Sequence, residues 1–202
     1  MKILDEIVPN YSYIFGCYLG DGHITEHERT NKLTLYSDIK HQDIIINQKF
    51  SLKLLFPNNK INEYIIKNCA RISVYNKNIL TLFPQHGKGL KSDRQIKLEN
   101  WQKEIISKEP ECFIKGLIDT DGSYYTQSQI IKGIVYKYDM FSFTNKSSDI
   151  KNLYVETLSK LNIAVKQRKN KKNIWDCYVR KKNDVSLLNK YYEIAENKLT
   201  PQ

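Results

Sequence analysis

Two aspartates stand one hundred residues apart in matching surroundings. Asp21 closes the segment Tyr13-Ile14-Phe15-Gly16-Cys17-Tyr18-Leu19-Gly20-Asp21-Gly22, and Asp121 closes Phe113-Ile114-Lys115-Gly116-Leu117-Ile118-Asp119-Thr120-Asp121-Gly122. In each, a glycine is followed four residues later by a small residue and then by Asp-Gly. Carboxylates are hard oxygen donors suited to Mg²⁺ shared with phosphate oxygens. If each segment is a helix ended by Gly22 or Gly122 as a left-handed cap, both acids fall in a last turn. The helix end there carries about half a negative charge and disfavours an anion by a few tenths to ~1 kcal/mol. A divalent cation would remove the conflict. A lone Asp-Gly after a helix is an ordinary turn signal; two in the same context point to a shared site.

Elements must bring the two acids together. Glycine inside a helix costs roughly 0.5–1 kcal/mol relative to alanine, so Gly16 and Gly20 call for a compensating role. Residues four apart share a helix face, and small ones let two helices approach closer than the usual 8–10 Å between axes. With Gly116 and Thr120 repeating that face, the two segments are expected to pack as a seam with both aspartates at one end.

The rest of the chain repeats with them, as a duplicated domain. Strand-like Leu33-Thr34-Leu35-Tyr36 corresponds to Phe141-Ser142-Phe143-Thr144, and the helix entry Lys40-His41-Gln42-Asp43-Ile44 to Lys146-Ser147-Ser148-Asp149-Ile150. The offset widens by six between motif and entry, which predicts a longer turn around Gln127 to Lys137. Further strands are predicted at Ile61 to Lys67, Ala70 to Tyr75, Ile163 to Arg168 and Ile174 to Arg180, with closing helices near Asn78 to Phe83 and Asp184 to Ala195. The pattern predicts an α+β fold with the order helix, two strands, helix, two strands, helix in each half. The halves are expected at residues 1–83 and 109–202, joined by a linker over 84–108 that opens with the turn formers of Pro84 to Lys91.

Composition sets the partner class. The formal charge is +10, from 32 Lys and Arg against 22 Asp and Glu, which suits a polyanion. Cys17, Cys69, Cys112 and Cys177 are scattered and show no zinc-ligand spacing, so buried, reduced thiols and an intracellular protein are expected. The start at Met1 shows no signal or transit segment, and no apolar run approaches membrane-spanning length. A soluble protein of cytoplasm or organelle matrix, with no membrane partner, is expected. The four histidines suggest no shared site, and Trp101 and Trp175 read as core or hinge residues.

The two segments resemble the signature of the LAGLIDADG homing endonucleases in their single-chain, two-motif form. The second, Ile114 to Gly122, is a close match; in the first, Leu19 replaces an acid and Phe15 a small alanine. The resemblance implies two pseudo-symmetric αββαββα halves whose saddle-shaped antiparallel sheets straddle DNA, packed through the motif helices. It implies a monomer that cuts both strands of a long target across the minor groove, leaving short 3′ overhangs. Asp21 and Asp121 would hold the metal with the backbone carbonyls of Gly20 and Thr120, for two or three divalent cations per site, Mg²⁺ with Mn²⁺ able to substitute. A lysine would orient the water or stabilise charge. Lys40 and Lys146 are candidates by equivalent position, and Lys91 lies in a basic segment, with Lys198 as a symmetry counterpart. With the chain running from Met1 to Pro201-Gln202, an intron-encoded or free-standing enzyme is expected rather than an intein.

Alternating polar residues on the strands are the expected base readers: Thr34 and Tyr36; Arg71, Ser73 and Tyr75; Ser142 and Thr144; Asp176, Tyr178 and Arg180. The opposite set, Leu33, Leu35, Ile72, Val74, Phe141, Phe143, Cys177 and Val179, would pack under the helices. The Lys166 to Lys172 hairpin is either a solvated tip or a phosphate contact. Two rival functions share the fold: an RNA maturase acting on its host intron, and a DNA-binding protein without cleavage. The second would be expected to lack one of the two aspartates.

Overall fold

The computed structural model describes residues 2–200, with side chains from residue 7 onward. The ends Met1 and Pro201-Gln202 lie outside the described residues. The first half runs α1 (Lys2–Leu19), β1 (His23–Glu26), β2 (Asn31–Asp38), α2 (Gln42–Leu55), β3 (Asn62–Ile66), β4 (Cys69–Asn76) and α3 (Ile79–Leu82). A single helix, α4 (Asn100–Lys108), precedes the second: α5 (Pro110–Asp121), β5 (Gly122–Ile131), β6 (Ile134–Asn145), α6 (Ser148–Lys160), β7 (Lys166–Lys169), β8 (Trp175–Val179) and α7 (Lys182–Leu199). The strands form two antiparallel four-stranded sheets of matching order, β1-β2-β4-β3 and β5-β6-β8-β7. The α+β class and the αββαββα repeat expected from the sequence are thus the architecture found.

Period-two patterning decides which sheet face is buried. Leu33, Leu35, Ile72, Val74, Phe143, Cys177 and Val179 are fully buried and Phe141 nearly so. All of them join one core with the motif helices. The polar sets share the other face, with Thr34 opposite Ser73, Tyr36 opposite Arg71, Ser142 opposite Tyr178 and Thr144 opposite Asp176.

Several boundaries move. The extra residues of the second half do not make a longer turn. They lengthen β5 and β6, which pair continuously from Gly122↔Phe143 to Ile131↔Ile134. The connection is only Lys132-Gly133, both with positive φ, 50° and 81°. That is the two-residue hairpin turn whose twist matches the strands. The segment joining the halves is not bare linker either. It holds a short 3₁₀ turn at Lys91–Asp93 and α4, whose capping box pairs Glu99 with Gln102, and the Ile96 N–H donates to Asp149 at the start of α6. The first motif helix begins earlier than Tyr13, at Lys2, and runs through Pro9. Trp101 is exposed rather than in the core, leaning on Tyr11. The four thiols are free, three of them buried. No described helix is long and apolar enough to cross a membrane.

One buried ionic cluster fixes α5 to its neighbours. The Lys115 ammonium reaches Asp119 at 3.2 Å and Glu196 of α7 at 2.8 Å, and the side chains of Lys115 and Asp119 are fully buried. It also lies 3.8 Å from the Tyr192 ring centre. The Tyr13 and Tyr192 hydroxyls donate to Asp119, and Asn47 of α2 donates to Glu196. Removing one member of a buried pair typically costs about 3–5 kcal/mol because the other charge is stranded. Lys115→Met is expected to lose that much in chemical denaturation. Adding Asp119→Asn, which removes the stranded charge, keeps one oxygen as acceptor and offers an NH₂ to the other tyrosine oxygen, should recover most of it; an unchanged double variant would mean that the loss is packing and not charge.

Candidate metal-binding and nucleic-acid-cleaving site

α1 lies along α5, and the seam glycines are in backbone contact. A Cβ on Gly16 would stand 2.4 Å from the Phe113 carbonyl oxygen, and one on Gly116 would stand 2.2 Å from that of Tyr13. Gly20 faces Thr120, whose Oγ1 would lie 2.0 Å from an added Cβ; that hydroxyl donates back to the Gly116 carbonyl. The four small residues therefore meet across one contact.

Gly22 and Gly122 are not left-handed caps. Among the glycines only Gly89 and Gly133 have positive φ, and Gly122 is extended at φ −108°. The reason for glycine is space. As the chain leaves each helix it folds back over the last turn, so a Cβ on Gly22 would meet the Tyr18 Cα at 2.5 Å, and one on Gly122 the Ile118 Cα at 2.7 Å.

This geometry delivers both aspartates to the same end of the seam, close enough for each carboxyl to act on the other's proton affinity. Asp21 is exposed and Asp121 half-buried. The Asp121 carboxyl is pushed up to about 7, first by burial and then by the Asp21 charge, against the pull of Asn145 and Lys91. Asp21, although exposed as a residue, is raised too, by partial loss of solvent around its carboxyl, with Lys91 and then Asp121 opposing. A like charge held this close raises the proton affinity of the more buried carboxyl, Asp121, and a cation between the two would reverse the effect.

Lys91 is the lysine at the site. Its ammonium donates to the carbonyls of Tyr18 at 2.6 Å and Gly22 at 3.0 Å, and also to that of Gly20. Burial lowers it to about 8 although both aspartates favour its charge. It caps the exposed carbonyls at the end of α1, so the Gly20 carbonyl expected as a metal ligand already faces a cation. Lys40 and Lys146 are exposed and are not among the charges acting on either aspartate. Lys198 is no counterpart of Lys91. It pairs with Glu109 and Glu111 at the opposite end of α5.

Sequence reasoning missed Asn145, whose amide donates to Asp121 at 2.6 Å. Its position just before the second helix entry was the available signal. It also missed Arg94, and separated His23 from His86, although both line a hollow of about 160 Å³ with Lys91 and Arg94.

Of the expected base readers, Tyr75, Thr144 and Arg180 are exposed, Arg71 is exposed beside Tyr36, and Ser142 and Tyr178 are half-covered. Thr34 and Ser73 lie on that face but are only 6% and 1% exposed. Asp176 is buried and bound to Arg168 at 3.1 Å; it presents an arginine rather than itself.

Fold and site together define a duplicated α+β protein whose two motif helices present one carboxylate each between two sheets with solvent-facing polar surfaces. The same fold occurs in the homing endonuclease I-DmoI. In its complex with DNA and Mn the TM-score is 0.62 at 13% identity, over 92% of this chain and 97% of that one. Its complex with DNA and Ca gives 0.60 at 15% identity over 94% and 90%. A variant of I-SmaMI gives 0.57 at 13%, over 90% and 83%. No protein-family model and no curated protein sequence matches the chain.

The raised carboxyl has a consequence for the metal-free protein. A carboxylate whose folded pKa exceeds its unfolded value costs stability as pH rises above about 4, and the cost is complete once pH passes the folded value. For Asp121 that window ends near 7. Asp121→Asn is therefore expected to raise the melting temperature in EDTA at pH 8, with the gain shrinking steadily toward pH 4. An Asn variant no more stable than the parent at pH 8 would mean that the carboxylates are not confronted.

Proposed function

We propose that this chain is a site-specific double-strand DNA endonuclease of the homing type, acting as a monomer with halves at residues 1–83 and 109–202. The observation that carries this reading is the meeting of Asp21 and Asp121 at the end of a backbone-tight seam between two matching sheets. The charge of +10 suits a DNA backbone, and I-DmoI, of the same fold, is found with DNA and Mn. Both aspartates are retained, which favours cleavage over a role in binding alone.

The donor set fits a divalent cation in part. Among the described residues no cluster of three or more His, Cys, Asp or Glu side chains comes together. Two carboxylates and nearby carbonyls form an incomplete cage, as suits Mg²⁺, which keeps waters and substrate phosphates as ligands. When bound, such cations, Mg²⁺ or Mn²⁺, supply positive charge at the scissile phosphate and the attacking water. Asp21 and Asp121 hold and centre that charge, and Asn145 orients the Asp121 carboxyl. Lys91, its three N–H groups held by the carbonyls of Tyr18, Gly20 and Gly22, places a fixed positive charge beside both acids, where it can stabilise negative charge on the phosphate through space. Arg71, Tyr75, Thr144, Arg180 and the Arg168 presented by Asp176 face the bases and backbone. Lys40 and Lys146, outside the acid pair, are suited to flanking phosphates.

The test is to incubate the protein with randomised double-stranded DNA and Mg²⁺ and sequence the cut ends. One long, non-palindromic sequence cut on both strands, with short 3′ overhangs, is expected. Uncut DNA at every protein and Mg²⁺ concentration would refute the nuclease reading.

A further inference from the structure

The two halves match in sheet order but not in reach. In the first, β1 and β2 end at Glu26↔Asn31, level with the end of β4 at Asn76. In the second, β8 stops at Phe141↔Val179, while β5 and β6 continue as a two-stranded ribbon to Ile131↔Ile134. His23↔Thr34 and Ser123↔Ser142 are equivalent pairs beside the two aspartates. The first hairpin closes beyond Glu26↔Asn31 with the His27 N–H donating to the Thr30 carbonyl, so from those pairs the second extends four residues further, which at about 3.3 Å per residue is roughly 13 Å. At about 3.4 Å per base pair this spans about four more base pairs.

The face the ribbon offers is continuous with the polar face of the sheet, since Ser123 and Ser142 hydrogen-bond across it. Outward from there the same face carries Tyr125, then Gln127 opposite Tyr138 and Gln129 opposite Tyr136, and ends in Ile131 opposite Ile134. All of these are exposed, and Tyr136 and Tyr138 stack. The ribbon's charged strand residues, Lys137 and Asp139, fall in the other alternation, opposite Ser128 and Thr126. The face that would meet DNA is therefore uncharged up to the turn.

A surface without Lys or Arg contributes little to phosphate binding, and it lacks the usual partner of guanine O6 and N7. Glutamine amides bond bidentately to adenine N6 and N7, and apolar side chains cover the thymine methyl. A two-stranded ribbon fits the major groove. We propose that the β5–β6 ribbon reads A·T base pairs in the major groove at the far end of one half-site, through Gln127, Gln129 and the Ile131–Ile134 tip, making the recognised site about four base pairs longer on that side. The proposal rests on the DNA-binding reading above and adds an asymmetric site and a base preference to it.

The experiment is a binding selection from random-sequence double-stranded DNA in Ca²⁺, scored by base preference at each position, for the parent and for Gln127→Ala/Gln129→Ala. A preference extending about four base pairs further on one side, A·T-rich in that extension, is expected. The double variant should keep the inner preferences, lose the outer ones, and bind the selected site at least tenfold more weakly. A folded double variant, checked by its parental melting temperature, keeps that comparison interpretable; if it is unstable, Gln127→Glu/Gln129→Glu replaces it, with the same loss expected. Selection of no sequence at all would sink the DNA-binding reading itself. A selected site of equal reach on both sides, a G·C-rich extension, or outer preferences unchanged in the glutamine variants would overturn this proposal while leaving that reading intact.

Discussion

Gly116→Ala and Gly16→Ala are each expected to destabilise the protein by about 3 kcal/mol or more, the upper end of the overpacking range. The added methyl would sit 2.2 Å from the Tyr13 carbonyl oxygen in one case and 2.4 Å from that of Phe113 in the other. These are main-chain atoms of the facing helix, and no rotamer change can move them aside. The helices must separate. Gly20 differs, because its added Cβ would meet the Thr120 side chain. Gly20→Ala should be milder, and a Thr120→Gly partner change should relieve it. Denaturant melts of the four variants check the order. A Gly116→Ala protein as stable as the parent would show that α1 and α5 do not touch along their backbones.

Asp21→Asn and Asp121→Asn are expected to lower double-strand cleavage by roughly 10²–10³-fold or more, the scale on which one electrostatic group at a reacting centre is missed. Affinity for the same DNA in Ca²⁺ should stay within about threefold, because neither acid lies among the strand residues proposed to read bases. Cleavage assays in Mg²⁺ paired with gel-shift titrations in Ca²⁺ separate the two. Because protons compete with the cation for Asp121, whose carboxyl is raised to about 7 in the metal-free protein, the Mg²⁺ concentration that gives half-maximal cutting by the parent should fall as pH rises from 6 to 8. Parental cutting by either variant would remove the aspartates from the chemistry.

The frame was legible because its signals are local and repeated. Gly16, Gly20, Gly116 and Thr120 announce a close helix contact, and the alternation of Leu33, Leu35, Phe141 and Phe143 fixes which sheet face is buried. What was not legible depends on tertiary fit. Gly22 and Gly122 read as left-handed caps because glycine is used for that more often than for backbone proximity to the preceding turn. Thr34 and Ser73 read as exposed because alternation gives a face and not the burial of each residue on it. Lys91 could be separated from Lys40 and Lys146 only once the chain after α3 returned to the end of α1. The extra residues near Gln127 contain no Pro and only Gly133, so strand extension was open to them, but an insertion is more simply assigned to a turn.

The helix contact also separates two properties that could otherwise constrain each other. The spacing of Asp21 and Asp121 is set by glycine main chains meeting at Gly16 and Gly116, whereas the polar faces belong to strands whose opposite sides pack on the core. On the proposed function, the offset between the two cuts is a main-chain property, and target choice is a side-chain property of separate surfaces. Substitutions at Tyr75, Gln127 or Arg180 can therefore redirect the protein to new sequences without retuning the geometry of cutting. Drift in recognition is cheap and drift in the seam is nearly forbidden, so such a lineage should diverge fastest on its strands and keep its small helix residues longest.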